Sequence, residues 1–384
     1  MKLPLSHSPL TRLVCAAFCA GTFLVSVHGQ TTAREPEMKF GIPIVAGPMD
    51  SVLLKDYRPE VSLVVKKTEV AKARFPVIDA HTHTGMSHIR TAADVDAWVR
   101  TMDEVGVEYT VVFTGVHGDN FARQVALFAA HRDRFQLWCD LDREKIEEPG
   151  YPQRAAAAVE RCHAMGARGI GEITDKGWGI QRETLPEGKR LHFDDARLDL
   201  AWQACARLKM PVNMHIADHP SAWQPLGPKQ ERTPDFQTFN LHGKDVLSYE
   251  ALLASRDRLL LRHPKTVFIA CHFSNQGNDL AALGKVLERF PNLYLDLSAR
   301  DYEIGRQPRS AAAFLTKYKD RVMFGTDMER DAAMYHGWWR LLETADEFIP
   351  GRIWWPYYGL ALPDPVLKAL YRDNAKRLLN WKPW

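Results

Sequence analysis

The sequence predicts an α/β fold, a (β/α)8 (TIM) barrel. The chain has 384 residues, of which 46% are hydrophobic and 25% charged, an ordinary globular composition that can supply one large core. Eight short apolar runs recur along the chain, with helical patterns between them. The runs are unbroken rather than alternating, which is typical of strands covered by helices on both faces. Eight such units in one domain indicate a closed barrel.

The elements follow one another in a regular order. We predict strands at 77–81, 107–113, 135–141, 169–173, 212–216, 267–273, 293–297 and 322–324, and helices at 92–105, 121–130, 154–165, 198–208, 246–261, 279–290 and 311–318. The alternative is an open doubly wound sheet, which binds ligands where the strand order reverses. No G-x-G-x-x-G motif follows the first predicted strand, so a dinucleotide site has no support.

The N-terminal residues lie outside the predicted barrel. Lys2 and Arg12 precede an apolar stretch that ends in small residues, which predicts a secretory signal peptide over 1–29. Residues 30–74 contain several prolines and are predicted to form an arm that lies over the main domain. The barrel and a C-terminal tail then occupy 75–384. We therefore expect a protein exported to the periplasm or the extracellular space.

Two predicted connections are longer than a barrel needs. One covers 174–193 after the fourth strand and contains Trp178, and the other covers 218–245 after the fifth strand and contains Trp223. Long loops of this kind are often lids or binding loops. Both leave the C-terminal ends of strands, the face that carries the chemistry of such barrels.

Charge and cysteine content limit the partners. Lys and Arg number 50 against 47 Asp and Glu, a net charge of +3, which falls to +1 without Lys2 and Arg12. This near-neutrality gives no electrostatic reason to expect nucleic acid or, after signal removal, a membrane. We expect a small-molecule substrate, and a homo-oligomer is compatible with the sequence. No C-x-x-C pair is present, which excludes a zinc–thiolate knuckle.

The strongest chemical signal is the H-x-H pair of His81 and His83 at the end of the first strand. Side chains two residues apart on a strand point to the same side. The two imidazoles therefore converge on one point at the barrel mouth, as a divalent metal requires.

Other strand ends supply further polar groups in the same register. The fifth strand ends at His215, the sixth at His272 and the eighth at Asp327. Taken singly, each is as well explained as a hydrogen-bonded core histidine or a helix-capping aspartate. Taken together they favour one shared site, because burying such groups is costly unless they are paired or bind a metal.

With these motifs in place, the chain resembles the amidohydrolase superfamily, and within it the amidohydrolase-related branch that includes the aminocarboxymuconate-semialdehyde decarboxylases. The resemblance covers about residues 75–379. The segments that carry it are Val77-Ile-Asp-Ala-His-Thr-His, Val212-Asn-Met-His, Phe268-Ile-Ala-Cys-His, Phe324-Gly-Thr-Asp and Asn374-Ala-Lys-Arg-Leu-Leu. It implies a metal-dependent barrel enzyme.

The resemblance also implies roles for individual residues. His81, His83, His215 and Asp327 would be metal ligands, and His272 would act with Asp327 as catalytic acid/base beside the metal-activated water. Zinc is the expected ion for this mixture of nitrogen and oxygen ligands, with Mn2+ and Fe2+ as alternatives. We expect one ion per chain rather than two.

Five further residues are candidates for supporting roles. Glu172 ends the fourth strand, where it could contact substrate, orient a ligand histidine or bridge two metals, and we favour the first two. Arg300 and Arg330 follow the seventh and eighth strands and could hold a substrate carboxylate. Trp178 and Trp223 could wall the pocket.

The sequence predicts a hydrolase that uses a metal-activated water on an amide, ester or lactone. The alternative is a non-oxidative, metal-dependent decarboxylase of a carboxylated substrate, which would use the same ligands. A nuclease of the TatD kind and a non-catalytic exported binding protein are more remote. The lack of a basic stripe argues against the nuclease, and the complete ligand set argues against the binding protein.

Overall fold

The computed structural model describes residues 37–57, 60–85, 87–181, 185–186, 188–232, 236–328, 331–351, 353, 355–379 and 381. Contacts divide the chain into two units, Met1–Leu63 and Val64–Trp384. The first unit contains two short antiparallel strands, β1 (Met38–Lys39) and β2 (Ile42–Pro43), and a 3-10 turn at Leu54–Asp56. The predicted signal peptide, 1–29, lies outside the described residues.

The second unit contains eight parallel strands. These are β3 (Val77–His83), β4 (Val107–Phe113), β5 (Phe135–Trp138), β6 (Ile170–Asp175), β7 (Val212–Ile216), β8 (Phe268–Ala270), β9 (Leu293–Asp296) and β10 (Val322–Met323). All eight predicted strands are present. The sixth ends at Ala270, earlier than expected, because the four residues from His272 to Asn275 all adopt left-handed backbone conformations.

The strands form a closed barrel. The pairing order is β3-β4-β5 in one set and β6-β7-β8-β9-β10 in the other. A parallel bridge between Cys139 and Ile170 joins β5 to β6. The backbone N–H of Ala80 donates to the carbonyl of Phe324 (3.0 Å), which joins β3 to the end of β10. The predicted (β/α)8 barrel is therefore confirmed, and the open sheet is not.

Helices follow the strands around the barrel. They are α1 (Ala92–Val105), α2 (Gly118–Leu127), α3 (Tyr151–Ala164), α4 (Asp199–Leu208), α5 (Tyr249–Arg262), α6 (Leu280–Arg289), α7 (Asp301–Arg306), α8 (Pro308–Lys317), α9 (Ala332–Glu343), α10 (Asp364–Lys368) and α11 (Asn374–Leu378), with a π turn at Ala369–Asp373 and 3-10 turns at Ala129–His131, Ala196–Leu198, Pro220–Trp223, His272–Asn275 and Lys319–Arg321. Among the described residues, no helix has the length and apolarity needed to cross a bilayer.

Local sequence explains where α1 begins and ends. The Thr91 hydroxyl accepts a hydrogen bond from the backbone N–H of Asp94, and the Asp94 carboxylate accepts one from the backbone N–H of Thr91. This reciprocal pair is a capping box. The helix ends at Gly106, whose φ of 91° is a left-handed conformation that glycine adopts without strain. Its apolar face, which includes Trp98 and Met102, is completely buried against the sheet.

Two hydrophobic clusters support the barrel mouth. The larger packs the helices on the outside of the sheet, and the smaller fills the barrel with residues such as Val111, Phe113 and Trp138. The Phe113 ring lies 4.7 Å from the His81 ring and 5.3 Å from the His83 ring, centroid to centroid. The interior packing therefore supports the two imidazoles from below.

Candidate active site

The H-x-H pair lies at the C-terminal end of β3. The Nε2 atoms of His81 and His83 are 3.2 Å apart, and His81 is completely buried. Their side chains share a face because residues two apart on a strand point the same way. The sequence prediction that the two rings converge is thus reproduced by the structure.

Asp327 joins this pair from the end of β10. Its Oδ1 lies 3.2 Å from His83 Nε2 and 3.6 Å from His81 Nε2. Its backbone N–H donates to the carbonyl of His81 (2.9 Å), which fixes the two strand ends together. Burial opposes ionisation of Asp327, but the neighbouring imidazoles outweigh it and hold the pKa of this carboxyl below its ordinary value.

Glu172, His215 and His272 complete the cluster from β6, β7 and the turn after β8. Glu172 Oε1 lies 2.6 Å from His215 Nδ1 and 3.2 Å from His272 Nε2, and these two nitrogens are 3.1 Å apart. Glu172 Oε2 faces the other way, 3.4 Å from His83 Nε2. This carboxylate therefore lies among the histidines rather than behind them.

The electrostatics of the cluster are those of a cation site. Burial lowers the pKa of His215 to about 4, so this ring is neutral near pH 7. Burial acts in the same direction on His83, but Asp327 and Glu172 outweigh it and raise the pKa of that ring to about 10. The two carboxylates thus attract positive charge to the point on which the nitrogens converge.

The donor set fits a divalent metal ion. Ligands about 2.1 Å from such an ion lie about 3.0 Å apart in an octahedral shell and about 3.4 Å apart in a tetrahedral one. The gaps from His83 to His81, Asp327 and Glu172 are 3.2, 3.2 and 3.4 Å. Three overlapping groups here could each hold an ion: Glu172, His215, Cys271 and His272; His81, His83 and Glu172; and His81, His272 and Asp327.

Asp296, at the end of β9, organises the cluster from outside. Its Oδ2 lies 3.0 Å from His81 Nδ1 and accepts from Asn213 Nδ2 (3.1 Å). Burial disfavours the charge of Asp296, but the His81 ring outweighs it and lowers the pKa of the carboxyl. Because an ionised carboxylate only accepts, Nδ1 of His81 carries a proton, which leaves Nε2 as the nitrogen that can bind a metal.

His272 is held in one tautomer by Ser298. Its Nδ1 lies 2.8 Å from the Ser298 carbonyl oxygen, which can only accept, so Nδ1 carries a proton. Nε2 then faces Glu172 and Asp327, whose oxygens lie 3.2 and 3.7 Å away. His272 can therefore take a proton at Nε2 and return it to a group at the cluster, the role expected for it.

Sequence reasoning missed Asp296, Asn213 and Asp79 as functional residues. Asp79 is buried and accepts from the hydroxyls of Thr326 (2.7 Å) and Tyr335 (2.8 Å), so it ties β3 to the end of the barrel. Burial raises its pKa to about 6. The sequence did contain an indication of Asp79, because an acidic residue within an otherwise apolar strand needs hydrogen-bond partners in the protein interior.

Backbone strain marks the same edge of the barrel. Ala217, His272, Ala299 and Asp327 have φ values of 61°, 55°, 51° and 51°, in the left-handed region that non-glycine residues rarely adopt. Each stands at the end of a strand. Such strain collects at functional sites because the surrounding structure must enforce it.

The remaining candidates have different positions. Arg300 is 6% exposed and follows β9, and its Nη2 donates to Asn275 Oδ1. Trp178 and Trp223 pack with Ala222, Phe236, Leu241 and Val246 in a small cluster formed by the two long loops. Arg330 lies outside the described residues. The structure therefore places the expected ligands, His272 and Glu172 in one cluster, which His215 joins through its contacts with Glu172 and His272, and Arg300 contacts Asn275 in the turn after β8.

Solved structures of other proteins share this fold. The 2,6-dihydroxybenzoate decarboxylase from Rhizobium has a similar structure, with a TM-score of 0.50 and 16% identity, over 80% of this chain and 99% of that chain. A 2,6-dihydroxybenzoate decarboxylase complexed with 2,6-dihydroxybenzoate gives 0.50 and 14%, over 80% and 100%. A Staphylococcus aureus protein described as an amidohydrolase gives 0.52 and 15%, over 80% and 100%. At such identities they show the shared fold alone.

No curated protein matched this sequence. The model of the amidohydrolase family Amidohydro_2, in contrast, matches residues 78–381, which include all six residues of the cluster and all of the barrel strands except Val77, the first residue of β3. The chain therefore belongs to the amidohydrolase family and is a metal-dependent enzyme of that superfamily.

Proposed function

We propose that the protein is a metal-dependent, non-oxidative decarboxylase that acts on a carboxylated small molecule. The observation that carries this proposal is the buried guanidinium of Arg300 beside the turn that bears His272. It favours an acidic substrate over a neutral amide, ester or lactone. The alternative foreseen from the sequence is thus better supported than the hydrolase reading.

Arg300 has the properties of an anion-binding group. Its Nη1 donates to the carbonyl of Ala299 (2.9 Å) and its Nη2 to Asn275. Its buried Nε lies 3.7 Å from Glu303 Oε2 and has no hydrogen-bond acceptor among the described residues. A buried donor without an acceptor is costly, and a substrate carboxylate would supply one. Asn275 lies three residues after His272, so Arg300 contacts the turn that carries the acid/base group.

His272 is the proposed proton donor. In the reaction the bond between the substrate carbon and its carboxyl group breaks, and CO2 leaves. The electron pair remains on the carbon, which takes the proton from Nε2 of His272. Solvent then reprotonates the ring. Oxygens of Glu172 and Asp327 lie 3.2 and 3.7 Å from this nitrogen.

His81, His83, His215 and Asp327 would hold the metal, with Glu172 at its edge. When bound, a divalent ion acts as a Lewis acid that stabilises negative charge developing on the substrate. We propose zinc, one ion per chain, on the basis of the imidazole-rich donor set. Elemental analysis of a saturated sample tests this, and two equivalents per chain would contradict it.

Two of the structures that share this fold are 2,6-dihydroxybenzoate decarboxylases. They support the proposed reaction class and leave the substrate of this chain open. Export and a small-molecule substrate remain predictions from the sequence.

The test is CO2 release from a panel of aromatic and aliphatic carboxylates, run beside hydrolysis of neutral esters, amides and lactones. Arg300→Gln should reduce CO2 release at least about tenfold, the loss of one charged hydrogen bond. Arg289→Gln is the control. That side chain is 60% exposed and lies at the end of α6, before β9 begins, whereas the candidate site is formed where the strands end. Hydrolysis of neutral substrates without CO2 release from any acid would refute the proposal.

A further inference from the structure

A buried arginine contacts the His272–Asn275 turn, which carries the proposed proton donor. We propose that Arg256 is a positioning residue, which holds this turn in the conformation that directs His272 towards the metal cluster. The role of His272 rests on the proposed function, whereas the contact between Arg256 and the turn can be measured without turnover.

Arg256 joins a helix to this turn. It belongs to α5 and is 1% exposed. Its Nη1 donates to Ser274 Oγ (2.7 Å) in the middle of the turn and to Gln276 Oε1 (2.6 Å) directly after it. On the other side of the guanidinium, Nε and Nη2 donate to Asp257 Oδ1 (3.0 and 2.7 Å). One buried cation therefore fixes two side chains of the segment that bears His272.

The ion pair with Asp257 does not by itself explain why Arg256 is buried. The Asp257 side chain is 25% exposed and also contacts Arg289 (3.5 Å), so the pair could form at the surface without desolvating the guanidinium. Burial lowers the pKa of Arg256, and the charge of Asp257 acts in the opposite direction. The contacts that need the buried position are those with the turn.

The turn needs such contacts because its backbone is strained. The four successive residues from His272 to Asn275 have φ values of 55°, 53°, 54° and 51°. None of them is glycine, and side chains disfavour this left-handed region. A run of this kind persists only where the surrounding structure enforces it. Without its side-chain contacts, the turn should therefore relax towards other backbone conformations.

The barrel fixes the two ends of the turn, and Arg256 contacts its middle. The backbone N–H of His272 donates to Asp296 Oδ1 (3.1 Å), and Asn275 Nδ2 donates to two carbonyls at the end of the neighbouring strand (3.0 and 3.1 Å). Ser274, between them, is completely buried, and its hydroxyl accepts from Arg256. Arg256 thus supports the part of the turn that the strand ends do not hold.

A relaxed turn would displace two groups of the candidate site. His272 Nε2 lies 3.2 Å from Glu172 at the cluster, and Asn275 Oδ1 accepts from Arg300. Helix α5 makes a second contact nearby, since the Tyr249 hydroxyl donates to the carbonyl of Asn275 (2.8 Å). Loss of the Arg256 contacts should therefore lower kcat through His272 and raise KM through Arg300.

The first experiment measures backbone hydrogen exchange of the metal-loaded protein by mass spectrometry. Arg256→Met keeps a flexible, unbranched side chain but removes every donor. The peptide that covers 272–276 should then exchange at least about tenfold faster than in the wild type, the loss of one hydrogen bond to a charged group, while the peptide that contains β3 should not change. Arg258→Met is the matched control, because Arg258 lies in the same helix and is 56% exposed. Unchanged exchange of the turn in folded Arg256→Met would overturn the proposal.

Kinetics distinguish positioning from a purely structural role. Under conditions where circular dichroism shows a fully folded protein with wild-type metal content, Arg256→Met should release CO2 at least about tenfold more slowly. Arg256→Lys should recover part of the rate, because its ammonium group still carries donors for Ser274 and Gln276. A wild-type rate in folded Arg256→Met would show a structural role only and would overturn the assignment.

Variants of the turn itself keep the test decisive if Arg256→Met does not fold. Ser274→Ala and Gln276→Met each remove one acceptor and should accelerate exchange and slow CO2 release in the same direction; wild-type values in both would overturn the proposal. Where the double variant folds, Arg256→Met with Ser274→Ala should lose less rate than the product of the single losses, because both remove the same hydrogen bond. Absence of CO2 release by the wild type would refute the proposed function alone, because the exchange comparison needs no turnover.

Discussion

Replacing Asp296 by Asn should weaken metal binding although this residue is not a ligand. Asp296 accepts five hydrogen bonds. Its Oδ2 accepts from His81 Nδ1 and Asn213 Nδ2, and its Oδ1 accepts from the backbone N–H groups of His272 (3.1 Å) and Ser298 (3.1 Å) and from the Ser298 hydroxyl. Every partner is a donor.

An asparagine cannot satisfy this arrangement in either orientation. Its NH2 group would face two donors on one side or three on the other. If the amide oxygen takes the position of Oδ1, the three hydrogen bonds from His272 and Ser298 are kept, but the bond that fixes the His81 ring is lost. A hydrogen bond to a charged group contributes about 1.5–3 kcal/mol. Since about 1.4 kcal/mol is a factor of ten, we expect metal affinity to fall about 10- to 100-fold.

The assay is competition for zinc with a chromophoric chelator at neutral pH, with circular dichroism to establish that the variant is folded. Asp320→Asn is the matched control, because that carboxylate is 69% exposed and forms a surface ion pair with Lys319. Wild-type zinc affinity in folded Asp296→Asn would show that Asp296 does not orient His81 for a metal, and the account of the cluster would fail.

Three other predictions follow from the same geometry. His81→Ala should lose the metal, as measured by elemental analysis. His272→Gln should keep the metal but lose about 10²- to 10⁴-fold in the rate of CO2 release. Wild-type activity in His272→Gln would contradict the proposed proton transfer. Gly325→Ala should weaken metal binding, because a Cβ there would lie 2.8 Å from His81 Cβ, while Gly337→Ala, with nothing within 4 Å, should not, and equal affinities would refute this contact. The pKa of His83 is raised to about 10, so this ring must lose a proton before it can bind a metal. Metal affinity should therefore rise about tenfold per pH unit for each proton displaced. An affinity that does not change between about pH 6 and 8 in the chelator assay would contradict this prediction.

Local patterns were sufficient to predict the barrel. The helix at 92–105 and the strands at 107–113 and 212–216 have the predicted bounds, because caps and apolar runs act within a few residues. The strand expected to reach 273 ends at Ala270, since the turn there depends on the side chain of Asn275 reaching the end of the neighbouring strand. That contact joins residues from two different strand ends, which no local pattern reveals.

In the candidate site, too, some features follow from local sequence and others depend on tertiary contacts. Two-residue periodicity was enough to bring His81 and His83 together, and the register of the strand ends was enough to add His215 and Asp327. The hydrogen bonds of Asp296 and the position of Glu172 among the histidines were not predictable from the sequence. They depend on which strands are neighbours.

The sequence by itself determined the barrel, the histidine pair and the donor types, because periodicity and side-chain chemistry are local properties of the chain. Only the tertiary structure decided that Glu172 lies among the histidines and that Asp296 selects a tautomer of His81. Those facts follow from distances of about 3–4 Å between residues far apart in the chain, and such distances exist only after the barrel has closed.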